Sequence, residues 1–218
     1  MPIQAVLFDM DGVLVDSEEY WWQSRVDFAQ ERGLTWTMDD QRKCMGSATI
    51  EWGRLMHERL APEMTVQAIM DDVIARVIAR LRARLPVLPG AVEAVRQAAG
   101  AYRVALVSGS PTAVIDCVMD LTGLEQSFET IVYGDTIPRG KPAPDIYLEA
   151  AARLGVPPTQ CVGIEDSANG LKALKAAGMY AIAVPSPGFP LAEPILALAD
   201  HVLPSLEAFS LELVRGLS

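Results

Sequence analysis

Short apolar runs that alternate with helix-like segments constrain the fold of this chain more than any other feature of its sequence. Runs of three to six mostly apolar residues are typical of strands that a parallel sheet buries on both faces. Helical patterns lie between the later runs, and this alternation predicts an α/β fold with a mostly parallel sheet covered on both faces. The predicted strands are Ile3–Phe8, Val104–Val107, Ile131–Tyr133, Cys161–Ile164, Ala181–Val184 and His201–Leu203.

Capping residues mark the helices in the second half of the chain. Ser110 followed by Pro111 predicts a helix N-terminus with Ser110 as the cap, which leaves the Ser108 hydroxyl free. Gly155 and Gly178 stand where a glycine commonly ends a helix. The predicted helices run from Ser110 to about Leu121, from Pro144 to about Leu154 and from Ser167 to about Ala177.

The segment 16–86 differs from the rest of the chain because it contains no convincing strand, and all four tryptophans fall within it. A capping-box pattern at Asp16 begins the first of its predicted helices. We therefore predict a helical cap domain of residues 16–86, inserted into an α/β core domain of residues 1–15 and 87–218. The predicted cap helices run from Asp16 to Arg32, from Thr49 to Leu60 and from Thr65 to Leu85.

Composition and charge restrict the partners of the chain. Half of the residues are hydrophobic and 21% are charged, as in an ordinary globular protein. The net charge of −10 argues against nucleic acid and anionic membranes, because both bind positive surfaces. A small anionic substrate stays open, since the charge within a site can oppose the total. No stretch approaches the roughly 18 apolar residues of a membrane span.

The N-terminal sequence and the number of cysteines indicate in which cellular compartment the protein is expected. The first apolar run meets Asp9 after six residues and follows no basic segment, so no signal peptide is predicted. Cys44, Cys117 and Cys161 are too few and too scattered for a zinc site or a disulfide framework, and we expect them to be buried thiols. We therefore expect a cytoplasmic protein, and nothing in the pattern demands association, so we expect a monomer.

Four acidic residues come directly after two of the predicted strands, the usual place of a site in an open α/β sheet. Asp9 and Asp11 follow the first strand, and Glu165 and Asp166 follow the fourth. If these strands are neighbours, carboxylates ~4 Å apart repel by about 4 kcal/mol at an effective dielectric near 20. Such a cluster needs a cation, a lysine or shared protons, and a divalent metal is the first hypothesis. A calcium loop is excluded, because Tyr20 stands at its twelfth position instead of glutamate.

Two further segments near predicted strand ends can bind an anion. Ser108, Gly109 and Ser110 join a strand to a helix, where a hydroxyl and backbone N–H groups form an anion site. Lys141 stands in a proline-flanked turn and is one of only four lysines. A compact ammonium group suits a phosphate beside a carboxylate. Alone, these features also fit a helix cap and a surface lysine, so their weight comes from occurring together with the acids.

The acidic, serine and lysine motifs, taken in order, resemble those of the haloacid dehalogenase-like hydrolase superfamily. The resemblance is to the sugar-phosphatase and β-phosphoglucomutase branch, which has a helical cap inserted after the first motif. It covers essentially the whole chain, and it implies a Rossmann-like core, a Mg²⁺ cofactor and a small phosphorylated substrate. The matching motifs are DxDGVLVDSE from Asp9, the strand-ending Ser108, GKPAPD around Lys141 and IEDSANG around Glu165.

The resemblance also implies a role for each motif residue. Asp9 is the expected nucleophile, which forms an aspartyl-phosphate, and Asp11 is the expected acid that protonates the leaving oxygen and then activates water. Ser108, Gly109 and Lys141 are expected to bind the phosphoryl group. The expected Mg²⁺ ligands are Asp9, Asp166, the main-chain carbonyl of Asp11, and Glu165 either directly or through a water.

Asp11 and the cap separate the activities within this superfamily. Dehalogenases and phosphonatases lack the second acid, so Asp11 favours phosphoester chemistry. Mutases carry a histidine where this chain has Trp21, and basic residues where it has Met45 and Thr49 around Gly46. These four cap residues are the predicted specificity positions. We therefore predict a Mg²⁺-dependent phosphatase of a small phosphorylated sugar or polyol. A β-phosphoglucomutase-type isomerase and a non-catalytic phosphosugar-binding protein are the alternatives.

Overall fold

A computed structural model describes residues 1–44, 49–186 and 190–217 of the chain. Within these residues, six strands form one sheet in which every neighbouring pair is parallel. Each strand lies where an apolar run predicts it. The strands are β1 (Ala5–Phe8), β2 (Arg103–Ser108), β3 (Thr130–Tyr133), β4 (Cys161–Glu165), β5 (Tyr180–Ala183) and β6 (His201–Val202).

The order of the strands places the acidic motifs side by side. Along the sheet the order is β3-β2-β1-β4-β5-β6, so β1 lies between β2 and β4. Phe8, at the end of β1, pairs with Leu106 of β2 and with Ile164 of β4. The loops that follow these three strands therefore meet at the carboxyl-terminal edge of the sheet. This is the topological switch point, where the strand order reverses.

Among the described residues, four helices lie in the segment 16–86 that follows β1. Three of them lie at predicted positions, and the helix over Thr49–Leu60 has the predicted bounds. The second helix is absent from the prediction because Asp40 and Gln41, two of its three buried residues, are polar and give no apolar period. The four are α1 (Glu18–Gln30), α2 (Met38–Cys44), α3 (Thr49–Leu60) and α4 (Val66–Ala83).

The segments that enter and leave this four-helix insert pair with each other. Val15 forms an antiparallel bridge with Val87. The Asp16 backbone N–H donates to the Pro86 carbonyl over 2.9 Å. These contacts tie the two connections together at the predicted domain boundaries. The division into a core and a cap stays a prediction, which this pairing supports.

The remaining helices cover the two faces of the sheet. Val6 and Phe8 of β1 belong to a core cluster on one face, and Ala5 and Leu7 belong to a second cluster on the other. Successive side chains along a strand point to opposite faces of the sheet, so β1 contributes residues to both core clusters. No helix among the described residues is long and apolar enough to cross a membrane. The helices are α5 (Ala91–Ala99), α6 (Thr112–Thr122), α7 (Asp145–Leu154), α8 (Ala168–Ala176), α9 (Glu193–Leu196) and α10 (Leu211–Arg215).

One predicted helix N-cap is confirmed and two are wrong. The N-cap position of α1 is Ser17, which makes no side-chain cap hydrogen bond, so the predicted capping box at Asp16 does not form. Ser167 caps α8, and its hydroxyl accepts a hydrogen bond from the Gly170 N–H over 3.0 Å. The N-cap position of α6 is Pro111, and Ser110 does not cap that helix. The Ser110 hydroxyl instead donates to the Asp11 carboxylate, and a hydrogen bond to a charged acceptor is stronger than one between neutral groups.

Candidate active site

The loop after β1 carries two carboxylates into different surroundings. Asp9 is 6% exposed and follows the strand directly. Gly12 turns the chain with a φ of +76°, which favours glycine. A Cβ atom at Gly12 would lie 1.9 Å from the Asp166 Oδ2 atom, so this glycine also makes room for the loop after β4. The two acidic loops are thus packed against each other.

Lys141 joins the acids of the two loops. Its ammonium donates to Asp9 Oδ1 over 2.8 Å and also to Glu165 Oε1. The fully buried Tyr147 hydroxyl donates to the same Glu165 oxygen over 2.5 Å. The other oxygen, Oε2, accepts from the backbone N–H groups of Asp166 and Ser167 over 3.2 Å each, and from the Ser167 hydroxyl over 3.0 Å. Glu165 is therefore held from both sides in a buried position.

Negative charge in this cluster exceeds what one lysine balances. Burial raises the pKa of Asp9 to about 8, although the Lys141 ammonium acts in the opposite direction. Burial, with repulsion from Glu165 and Asp9, also raises the pKa of Asp166 well above its usual range. Burial by itself would lower the pKa of Lys141, but Asp9 and Glu165 outweigh it and raise that pKa.

The same three acids can hold a metal ion. One oxygen from each of Asp9, Glu165 and Asp166 lies within 4.8 Å of the others. Carboxylate oxygens are the ligands that Mg²⁺ prefers in proteins, and a cation would relieve the repulsion that raises the two aspartate pKa values. The donor set therefore fits a divalent cation. The Asp11 carboxylate does not belong to this cluster of side chains, in keeping with the prediction of its main-chain carbonyl as the ligand.

Three serine hydroxyls hold the Asp11 carboxylate. Ser17 donates to Oδ1, while Ser110 and Ser108 donate to Oδ2 over 2.7 Å and 3.2 Å. Ser108 Oγ also accepts from the Ser110 backbone N–H over 3.1 Å. The expectation of a free Ser108 hydroxyl is therefore wrong, because the carboxylate of Asp11 reaches across from the neighbouring strand. A phosphate-binding role for Ser108 stays a prediction, and Gly109 lines the cavity described next.

A cavity of about 780 Å³ opens over these residues, between the loops of the sheet and the insert. Among the predicted cap residues, Trp21 lines it. Thr49 is buried at the start of α3 and is not among the residues that line it, and Met45 and Gly46 lie outside the described residues. Core residues that line the cavity are Asp9, Asp11, Gly109, Ser110, Lys141 and Asp166, and insert residues include Glu18, Trp21, Arg25 and Trp52.

The sequence interpretation missed three of these side chains as site residues. Glu18 and Arg25 are three residues before and four residues after Trp21, so the helical period puts all three on one face of α1. That spacing could have identified them once Trp21 was placed in the site. The third, Ser110, was expected to cap a helix, and only the approach of Asp11 reveals its other contact.

Comparisons with known proteins agree with this geometry. The family described as haloacid dehalogenase-like hydrolase matches residues 3–178. The chain belongs to this family. The hydrolase is 35% identical over 207 residues to hexitol phosphatase B of Escherichia coli (strain K12), an alignment that covers 94% of this chain and 93% of the relative.

Two further relatives extend the comparison. This hydrolase is 31% identical to fructose-1-phosphate phosphatase YqaB of Escherichia coli (strain K12), over 83% of this chain and 95% of that protein. The crystal structure of CbbY from Rhodobacter sphaeroides in complex with phosphate is similar with a TM-score of 0.85 at 26% identity, over 94% of this chain and 96% of that one. The predicted family, α/β fold and enzyme class, a phosphoric monoester hydrolase, are therefore confirmed.

Proposed function

We propose that this haloacid dehalogenase-like hydrolase is a Mg²⁺-dependent phosphatase that acts on a small phosphorylated sugar or polyol through a phospho-aspartate on Asp9. The observation that carries the proposal is the position of Asp9, which contacts Lys141 and borders the cavity beneath the tryptophan-bearing insert. The relatives named as hexitol phosphatase and fructose-1-phosphate phosphatase support a phosphorylated carbohydrate as substrate.

The two aspartates divide the reaction between them. A carboxylate oxygen of Asp9 attacks phosphorus, the bond from phosphorus to the substrate oxygen breaks, and Asp11 gives its proton to that leaving oxygen. Asp11 then takes a proton from water, whose oxygen attacks phosphorus. This step frees inorganic phosphate and restores Asp9. The hydroxyls of Ser17 and Ser110 hold Asp11 beside the nucleophile for both proton transfers.

Charge on the phosphoryl group is balanced by the cations of the site. Lys141, which contacts Asp9, is placed to bind a phosphoryl oxygen together with the backbone around Gly109. Asp9, Glu165, Asp166 and the Asp11 carbonyl would hold Mg²⁺, which when bound neutralises charge on the transferring group. The cap excludes bulk water from the reacting groups, and burial of the site strengthens its electrostatic interactions.

Trp21 favours the phosphatase over the mutase alternative. A mutase must bind a second phosphate while its intermediate reorients, and the position where mutases carry a histidine holds the uncharged Trp21 ring. The presence and convergence of all the predicted catalytic residues favours an enzyme over a non-catalytic binding protein. A cytoplasmic location and a monomeric state stay predictions.

The test is phosphate release across a panel of sugar, polyol and nucleotide monophosphates in the presence of Mg²⁺. We expect release from hexose or hexitol phosphates, and we expect Asp9→Asn to reduce it by at least about a thousandfold. Interconversion of β-glucose 1-phosphate and 6-phosphate without phosphate release would replace the proposal with the mutase. Near-wild-type activity of the Asp9 variant would contradict the covalent mechanism.

A further inference from the structure

One face of α1 carries charge and aromatic surface into the cavity. Glu18, Trp21 and Arg25 lie on this face and line the same cavity as the catalytic aspartates. Trp52 of α3 joins them, and its ring centroid is 5.9 Å from that of Trp21 in an edge-to-face arrangement. The cap therefore offers more than an aromatic surface to the part of a substrate that points away from the phosphate.

Arg25 is buried with few partners of its own. The residue is 4% exposed, and its guanidinium carbon lies 5.1 Å and 5.2 Å from the ring centroids of Trp21 and Trp52. Its Nη1 donates to Gln41 Oε1 over 3.0 Å. The Nε–H has no acceptor among the described residues, and none of their carboxylates lies within 4 Å of the guanidinium.

Burying a guanidinium with an unpaired N–H costs free energy unless another group, such as a ligand, accepts a hydrogen bond from it. Arginine presents five N–H donors, and a buried donor without an acceptor costs about 1–3 kcal/mol, more for a charged group. The two aromatic rings stabilise the positive charge but accept no conventional hydrogen bond. Among the described residues, the Nε–H of Arg25 is thus an unused donor on a side chain that lines a cavity large enough for a ligand.

Glu18 determines which kind of ligand suits these donors. Its carboxylate borders the same cavity, and Arg25 acts on it electrostatically across the helix face. A substrate hydroxyl can accept from Arg25 and donate to Glu18, whereas a second phosphate or a carboxylate would be attracted by Arg25 but repelled by Glu18. The rings of Trp21 and Trp52 suit the C–H surface of a carbohydrate.

We propose that Arg25, together with Glu18, binds the hydroxyl groups at the end of the substrate opposite the phosphate, and so selects polyhydroxylated substrates. This inference rests on the proposed function, because it takes the phosphate end to lie at Asp9. It makes Arg25 a specificity residue of the cap, with no part in the chemical steps.

The test measures binding without turnover in the Asp9→Asn protein, in Mg²⁺, by the fluorescence of the cap tryptophans and by calorimetry. Two probes have the same six-carbon length: sorbitol 6-phosphate, which carries hydroxyls, and n-hexyl phosphate, which does not. We expect Arg25→Met to raise the Kd of sorbitol 6-phosphate at least about tenfold and to change the Kd of n-hexyl phosphate less than about twofold. Arg25→Lys, which keeps the charge and most of the stem, serves if the methionine variant does not fold, with an intermediate loss expected.

Arg32→Met is the matched control. Arg32 follows α1, lies 3.6 Å above the Phe28 ring and is not among the residues that line the cavity. Its replacement should leave the Kd of both probes unchanged. The same loss for both probes, or for neither, in the Arg25 variants would overturn the inference. Fructose 1,6-bisphosphate tests the other ligand class, and a larger loss for it than for sorbitol 6-phosphate would show an anion site instead.

The outcomes for the inference and for the proposed function are separable. If the wild-type protein releases phosphate from sorbitol 6-phosphate while the Arg25 variants bind it normally, the inference fails and the proposed function stands. If the wild-type protein hydrolyses no ester but the Arg25 variants selectively lose sorbitol 6-phosphate, the proposed function fails and the hydroxyl site stands. Failure of the Asp9→Asn protein to bind sorbitol 6-phosphate at all would overturn the inference as well.

Discussion

At the scale of single residues, two aspartates two positions apart have different surroundings. Asp9 is buried against the Lys141 ammonium, which suits a nucleophile that must approach an anionic phosphoryl group. Asp11 is held by the hydroxyls of Ser17, Ser108 and Ser110, which can exchange donor and acceptor roles as its proton leaves and returns. The difference in contacts supports the proposal that one short motif supplies both a nucleophile and a proton carrier.

Asp11→Asn should slow turnover by about 10²–10⁴-fold, because the amide keeps the shape of the side chain but cannot transfer a proton. Mg²⁺ affinity should change less than about twofold, since only the backbone carbonyl of Asp11 is proposed as a ligand. Phosphate release and calorimetric Mg²⁺ titration measure the two effects. Asp16→Asn, an exposed acid nearby, is the control and should retain activity. A turnover loss under tenfold for the Asp11 variant would contradict its role.

Glu18 should make stability depend on pH in a defined window. Burial, followed by repulsion from Asp11, raises the pKa of Glu18 from 4.5 to about 6, against the opposing effects of Arg25 and Gln41. The Gln41 amide acts on this carboxylate without a hydrogen bond of ordinary geometry. The folded state therefore binds more protons than the unfolded state between these values, so this group lowers the free energy of unfolding as pH rises through the window.

Glu18→Gln removes the destabilisation that the ionised Glu18 carboxylate causes at higher pH. Relative to the wild type, its free energy of unfolding should be unchanged near pH 4 and higher by at most about 2 kcal/mol near pH 7.5. Urea denaturation at both pH values measures the difference. Glu19→Gln changes the adjacent exposed acid and should show no such pH dependence. A Glu18 variant that is less stable than the wild type at the higher pH would refute this account.

At the scale of elements, the start of α8 serves both folding and the site. Ser167 caps the helix, and the same hydroxyl donates to Glu165 Oε2. Gly170, one turn later, leaves space for the carboxyl group of Glu165, because a Cβ there would lie 1.9 Å from it. The first turn of α8 thus fixes the position of Glu165, an acid proposed to bind the metal.

Ser167→Ala should lower the free energy of unfolding by about 1 kcal/mol through loss of the cap, and should also raise the Mg²⁺ concentration needed for half-maximal activity. Thr65→Ala is the matched control. Thr65 caps α4 by accepting from the Ala68 N–H over 3.2 Å and is not among the residues that line the cavity. It should cost similar stability without changing the Mg²⁺ requirement. Equal Mg²⁺ requirements in the two variants would show that Ser167 acts only as a cap.

At the scale of the whole molecule, an acidic protein concentrates further negative charge in a buried cluster. The chain carries a net charge of −10, and three of its acids converge around a single lysine. A cation that binds the folded state alone stabilises it, by about 2.7 kcal/mol when its concentration is 100 times its Kd. A metal ion bound by this cluster would therefore couple its binding to global stability.

Mg²⁺ should raise the melting temperature of the wild-type protein, and EDTA should lower it and abolish activity until Mg²⁺ is restored. Asp166→Asn should lose most of the Mg²⁺-dependent shift and melt higher than the wild type in EDTA, because it removes a repelled charge. Thermal unfolding with and without Mg²⁺ measures both effects. Glu149→Gln changes a half-buried acid of α7 that pairs with Arg153 and is not among the residues that line the cavity, and it should keep the full shift. Activity that persists in EDTA would count against the metal.

The sequence by itself determined the sheet and most of the helices, and it singled out the residues to which the proposed reaction assigns roles. Apolar runs and caps are local signals, and the acids at strand ends needed only the rule that parallel strands end at one edge. The tertiary structure decided the partners. Ser110 binds Asp11 instead of capping α6, and Arg25 lines the cavity with an Nε–H that has no acceptor among the described residues. Those contacts join residues far apart in the chain, and their energies depend on burial and on neighbours that no local pattern encodes.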